Sequence, residues 1–345
     1  MGKSGRSTVY NAGLTSPEKI SKISKKNMTL MNDFLNYMRS VSRSETTIKN
    51  YRADLLIFFC WIEDNLDNKY FVDLTKREIV RFQNQALNEW GWGSNRIRTV
   101  KSAISSLSNF IENILDDEIK GFKSIVRKIE SPPRTLAREK TVYTGEEIEN
   151  LLTELVSRKE YDRACFVALA AFSGRRKMEL LRFRVDDFDD DKLICDGALY
   201  KSAPIKTKGR GGGKYIPCYT LAKKFKPYFD LWMKYRADYG IESVWLFPKR
   251  NKPSEQLGKS TVDRWCEEFT QISKKDFYTH SLRHRFCTSL SEAGIPDSVI
   301  QSIISWDSAD MVRLYNDRSD DDLIGEYFKG GDISSDHNKK NLSEI

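Results

Sequence analysis

Histidine is nearly missing from this chain of 345 residues: there are three, His280, His284 and His337. The six cysteines (Cys60, Cys165, Cys195, Cys218, Cys266 and Cys287) stand singly, without a partner at metal-ligand spacing. No metal site is therefore expected, and the thiols read as reduced side chains inside apolar patterns. No apolar run approaches the roughly 20 residues that cross a bilayer, so no membrane is expected. No Gly-x-x-x-x-Gly-Lys-Ser/Thr or Gly-x-Gly-x-x-Gly stands between a strand and a helix. The glycine run Gly211–Gly213 has the wrong flanking elements for a phosphate loop, which argues against nucleotide hydrolysis. The polar, basic first ten residues carry no secretory pattern, so the expected compartment is the cytoplasm.

What the chain does have is a mild basic excess, 57 Lys and Arg against 49 Asp and Glu, giving a net charge of +8. Such a balance is compatible with a polyanionic partner without demanding one. The length suffices for two domains with separate cores.

Residues 1–27 are polar and basic and lack apolar periodicity, and they are expected to form a flexible arm. A first domain is expected over 28–131, and within it residues 28–115 read as four helices. Leu30, Met31, Phe34, Leu35 and Met38 make the first stripe, and Ile48, Tyr51, Leu55, Phe58, Phe59 and Ile62 the second. Thr75-Lys-Arg-Glu78 is a capping box that opens the third helix, and Ser94 starts the fourth after the turn Trp90-Gly-Trp-Gly93. Lys49 and Arg52 lie near the start of the second helix, and Arg96, Arg98 and Lys101 crowd the first turns of the fourth. Cations there oppose the helix dipole, so a phosphate backbone beside those helix ends is the expected reason for them.

The stretch 132–140 contains Pro132, Pro133, Arg134, Arg138 and Lys140. Two prolines stop a helix and favour extended chain, as in a linker. A second domain is expected over 141–330, followed by a polar tail over 331–345. It opens on another capping box, Thr144-Gly-Glu-Glu147, and continues into an apolar helix, Ala164 to Phe172. Short strands are expected around 192–195, 198–205 and 215–218, with a basic turn between the last two that holds Lys206, Lys208, Arg210 and Lys214. A capped helix is expected from Ser319 through Phe328. The fold class is mainly α with a small antiparallel sheet.

The densest chemistry lies in Thr279–Tyr315, which holds His280, Arg283, His284, Trp306 and Tyr315. Arginines, a lysine, an imidazole and a phenol, without an acidic cluster, suit a trigonal-bipyramidal phosphorane. Guanidiniums grip the non-bridging oxygens bidentately. A phenol can attack phosphorus, a lysine can protonate the leaving alkoxide, and an imidazole and an indole N–H can complete the cage.

Ser-Gly-Arg-Arg176-Lys-Met-Glu179-Leu-Leu, His280-Ser-Leu-Arg283-His284-Arg-Phe, and Ser-Trp306 followed nine residues later by Tyr315 together resemble the tyrosine recombinase (phage integrase) family. The resemblance implies an N-terminal four-helix, SAM-like core-binding domain that binds DNA and an α+β catalytic domain. It places the catalytic set on Arg176, His280, Arg283, Trp306 and Tyr315, with Glu179 and His284 in support. The catalytic lysine falls in the basic turn, on Lys208, with Lys206 as the alternative. Arg134, Arg175, Arg210 and Lys214 join the helix cations as expected DNA contacts. The implied activity is site-specific recombination of double-stranded DNA through a 3′-phosphotyrosine and a Holliday junction. It would be carried out by a tetramer that is monomeric when free, with no cofactor. A type IB topoisomerase-like relaxation and a catalytically silent DNA-binding regulator are the alternatives.

Overall fold

A computed structural model of the chain describes residues 13–133, 141–207, 213–306, 308, 310–316, 328–329 and 332–333. These fall into two compact units, divided near residue 139.

The first unit is all helical: α1 Pro17–Lys22, α2 Lys25–Ser40, α3 Glu45–Leu66, α4 Lys76–Asn88 and α5 Ser94–Ile114. Four of the five starts are fixed by a side-chain oxygen, from Ser16, Ser24, Ser44 and Thr75, accepting from a backbone N–H three residues on. Glu78 closes the capping box at Thr75. Every residue from Leu55 to Ile62 is buried, so α3 is the central helix and not an amphipathic one. Its Phe58 and Trp61 meet Phe82 of α4 edge-on at 5.0 and 5.3 Å. The expectation of a flexible arm over 1–27 needs correction for the residues described. Ile23 is buried in this core, Lys19 pairs with Asp64 at 2.6 Å, and buried Asn27 accepts from Phe71 N–H and donates to Lys69 O. The helix is too short to show a periodic stripe, so its sequence looks unstructured.

Three expected DNA contacts are also engaged inside this unit. Lys101 is buried, and its Nζ donates to Gln83 Oε1 and to the carbonyls of Ile129 and Glu130. Arg98 donates to the Pro132 carbonyl at 2.7 Å, and Arg96 pairs with Asp54 at 2.5 Å. Cations at the start of α5 thus satisfy backbone carbonyls of residues 129–132 and a buried carboxylate, which explains them without a phosphate. Lys101 is corrected from a surface contact to an interior one. Lys49 and Arg52 remain exposed.

The second unit begins with α6 Gly145–Ser157, capped by the Thr144–Glu147 box, then α7 Tyr161–Ser173 and the single turn α8 Lys177–Leu180. From Ala164 to Ala171, α7 is buried on every side and forms the axis of the core. An antiparallel sheet in the order β1 (Leu193–Ile194), β2 (Leu199–Lys201), β5 (Tyr219–Leu221) lies beside it. Between β2 and β5 the chain makes the hairpin β3 (Ile205–Lys206) and β4 (Tyr215–Ile216), with Lys206 opposite Tyr215. Then follow α9 Ala222–Asp238, the hairpin β6 (Pro248–Lys249) and β7 (Lys252–Gln256), and α10 Lys259–Ser273. Three helices complete the site: α11 Thr279–Glu292, α12 Asp297–Ile304 and α13 Asp310–Tyr315. Phe328 lies in a strand, β8 (Phe328–Lys329), paired with β9 (Asp332–Ile333), and not at the end of a helix. The rest of the helix expected over 319–328 is outside the described residues, as are Arg134, Lys208 and Arg210.

Candidate active site

The site is organised by the chain reversal after α7. Gly174 caps that helix at φ 60°, and a Cβ there would lie 2.4 Å from Phe286 Cδ1. Only glycine satisfies both the left-handed backbone and the close approach of α11. Its carbonyl accepts from Arg283 Nη1 at 2.7 Å. Two residues later Arg176 starts α8: its N–H and its Nη1 each lie 3.1 Å from a different oxygen of buried Glu179. Glu179 thereby fixes the direction of a guanidinium whose side chain stays 39% exposed.

On α11, His280, Arg283 and His284 fall at i, i+3 and i+4 and share one face. Arg283 is fully buried, with its Cζ 5.0 Å from the Trp306 ring and 5.8 Å from the Tyr315 ring. Tyr315, the last residue of α13, is buried to 9% exposure. Its ring stacks on His284 at 4.3 Å and leans on Trp306 at 4.8 Å. Its hydroxyl lies 2.5 Å from His280 Nε2. Three buried donors here, Arg283 Nε, Arg283 Nη2 and Trp306 Nε1, have no hydrogen-bond partner among the described residues. Buried N–H groups are seldom left so, and a tetrahedral oxyanion is the ligand that would satisfy a guanidinium edge and an indole together.

Burial, reinforced by the electrostatic influence of Arg283, His284 and Arg176, pushes the His280 imidazole down to about 4. The ring is therefore neutral at pH 7 and offers one lone pair. Burial, then Arg176, push Arg283 down to about 10, so it keeps its charge. The depressed His280 value has a stability consequence. The unfolded ring titrates near about 6.5 and so binds more protons than the folded one between there and pH 4. The free protein should lose stability as pH falls through that window. In melting temperature against pH, His280→Gln should flatten the fall; equal slopes for variant and wild type would refute the assignment.

The basic hairpin is held by its backbone. Thr207 N–H donates to Lys214 O at 2.7 Å, and Arg182 Nη1 donates to Lys206 O at 2.5 Å. Lys206 and Lys214 are exposed on it. Arg175 requires a correction: expected at a DNA surface, it is 1% exposed and turned inward. The sequence displayed the Ser173-Gly174 break but not the two roles that follow from it, the Gly174 carbonyl on Arg283 and the inward turn of Arg175. Among the described residues no cluster of acidic, histidine or cysteine side chains could hold a metal ion.

A helical unit followed by an α+β unit, with one phenol set among guanidiniums, imidazoles and an indole, is the architecture of a tyrosine recombinase. The chain belongs to the phage integrase family: the model described as "Phage integrase family" matches residues 141–322, and "Phage integrase, N-terminal SAM-like domain" matches 30–121. It is 26% identical over 251 residues to the SPbeta prophage-derived recombinase-like protein YomM of Bacillus subtilis, covering 72% of this chain and 73% of that protein. It is also 26% identical over 292 residues to the tyrosine recombinase XerA of Pyrococcus furiosus, covering 83% and 88%. Among solved structures, the XerH site-specific recombinase in a post-cleavage complex superposes with a TM-score of 0.68 at 16% identity, over 88% of this chain and 96% of that one. A lambda integrase tetramer bound to a Holliday junction gives 0.61 at 18%, over 84% and 77%. No helix among the described residues is long and apolar enough to cross a membrane.

Proposed function

We propose that this chain is a site-specific recombinase that cuts and rejoins double-stranded DNA through Tyr315. The observation that carries the reading is the Tyr315 hydroxyl 2.5 Å from a neutral His280, beside the unpartnered donors of Arg283 and Trp306. In the first step the phenol oxygen attacks the scissile phosphorus while its proton passes to His280 Nε2. Arg176, Arg283 and the Trp306 N–H hold the non-bridging oxygens as charge builds on them. The departing 5′-oxygen takes a proton from a lysine, Lys208 or its alternative Lys206. The result is a 3′-phosphotyrosine and a free 5′-hydroxyl. In the second step a 5′-hydroxyl from the partner duplex attacks the phosphotyrosine and returns its proton to that lysine, while the phenolate regains its proton from His280. One phosphodiester is exchanged for another, so no cofactor or nucleotide is consumed.

The helical unit would bind DNA, with exposed Lys49 and Arg52 as phosphate contacts, and Lys214 would do so from the hairpin. Contacts of this kind make affinity fall steeply with salt. Exchange would run on a tetramer through a Holliday junction, in the cytoplasm of the host cell. The specific event, whether integration, excision or resolution, follows from the DNA sites.

The test is covalent trapping on a library of duplexes nicked next to candidate cleavage positions, so that the short 5′-hydroxyl product diffuses away. The wild type should yield a DNA adduct that maps by mass to the peptide containing Tyr315. The lysine is identified on the same substrates. Replacement of the true acid by methionine should abolish cleavage of an oxygen-bridged phosphate and spare one with a 5′-bridging sulfur, whose thiolate leaves unprotonated. No adduct on any duplex would sink the enzyme reading. Relaxation of supercoils without strand exchange between two sites would move it to a topoisomerase.

A further inference from the structure

Arg175 is the one arginine of the Gly174–Arg176 stretch that does not face the candidate phosphate site, and its position is unusual. It is 1% exposed, and its guanidinium spans the end of α12: Nη2 donates to Ile303 O at 2.5 Å and Nη1 to Ile304 O at 3.3 Å. These are the last two carbonyls of that helix, which its own capping bonds leave open. Ser305, at φ 59°, donates to Ser302 O, and Trp306 N–H donates to Gln301 O. A cation on terminal carbonyls also sits at the favourable end of the helix dipole. The next ring along the chain is Trp306, whose Nε1 is buried and unpartnered and whose ring lies 4.8 Å from that of Tyr315. Gln301 Nε2 holds the Trp306 carbonyl at 3.1 Å, so the backbone on both sides of the indole is tied to α12.

We infer that Arg175 is a positioning residue for phosphoryl transfer: by clamping the C-terminus of α12 to the loop that carries Arg176, it sets where the Trp306 indole N–H meets the scissile phosphate. The inference rests on the recombinase reading above. In it Arg175 touches neither DNA nor the reacting atoms. It couples two elements of the cage that are 130 residues apart in sequence, as Arg176 and Trp306 are. A neutral side chain of similar length would fill the space but leave both carbonyls open. A lysine could reach one carbonyl at a time and lacks the planar fork.

The experiment combines a positional and a kinetic readout on the full chain. With 5-fluorotryptophan in place of the seven tryptophans, the Trp306 resonance is assigned by its loss in Trp306→Phe. In Arg175→Met that resonance should shift or broaden while the other six stay in place, and Arg175→Lys should fall between Arg175→Met and the wild type. Single-turnover cleavage of a nicked duplex should slow by roughly tenfold to a hundredfold in Arg175→Met, the penalty expected for misplacing one group of a preorganised cage. Duplex affinity should stay within about twofold, since phosphate contacts elsewhere supply it. In a Trp306→Phe background, Arg175→Met should cause little further loss. Multiplying losses, or a Trp306 resonance that does not move, would overturn the inference. So would a loss of all six other resonances, which would make Arg175 a residue of general stability. Absence of any Tyr315 adduct from the wild type would instead remove the recombinase reading and the reaction Arg175 is said to serve, with the fluorine spectrum still reporting on the clamp.

Discussion

Tyr315→Phe should bind duplex DNA as the wild type does and form no covalent adduct with it. The variant keeps everything the ring does: the stack on His284 at 4.3 Å, the contact with Trp306 and the proximity to Arg283. Only the hydroxyl is lost, together with its hydrogen bond to His280 Nε2. One such bond is worth about 1 kcal/mol net, so the melting temperature should move by only a few degrees. The rate of strand cleavage, in contrast, should fall on the order of 10⁴-fold or more, because the hydroxyl that attacks phosphorus is gone. Gel shift and quenched single-turnover cleavage on one substrate separate the two quantities. Adduct formation by the variant at the wild-type rate would place the nucleophile elsewhere.

Arg283→Lys should be the second most damaging change, and it should alter how activity depends on pH. Arg283 donates to the Gly174 carbonyl with one nitrogen and keeps Nε and Nη2 unpartnered beside the Trp306 and Tyr315 rings. A lysine cannot make both the structural bond and a bidentate grip on phosphate. Losing one oriented donor of this kind slows catalysis by about 10²–10³-fold. The environment adds a further effect. Burial and the charge of Arg176 already bring the guanidinium down to about 10. A lysine starts from about 10.4 and would be driven toward the range where it sheds its proton. The charged form exists at low pH, so residual cleavage by Arg283→Lys should weaken as pH rises through neutrality, while the wild type shows no such loss. Parallel pH profiles would mean that the charge at this position is not what the reaction uses.

Much of the fold could be read from apolar spacing. The stripe at Leu30–Met38 and the capping boxes at Thr75 and Thr144 depend on contacts within four residues and therefore show in the sequence. His280, Arg283 and His284 share a helix face for the same local reason. What escaped reading was cation burial. Arg175 and Lys101 look like surface residues because arginine and lysine are almost never fully buried without partners. Here the partners are backbone carbonyls, of residues 303–304 and 129–130, brought near only by the tertiary fold. A carbonyl has no letter in a sequence, so nothing marks it as waiting for a guanidinium. The helix α1 was hidden by its brevity, and strand β8 by pairing with a segment just beyond it.

The stretch from Ser173 to Glu179 also limits how this enzyme can change over generations. Gly174 supports Arg283, Arg175 holds the end of α12, and Arg176 closes on Glu179, one residue after another. Removing or adding a single residue there would rotate all three attachments at once and leave each facing the wrong neighbour. Side chains in this loop can be exchanged one at a time, with graded losses, but its length cannot. Insertion or deletion should therefore be lethal to recombination here.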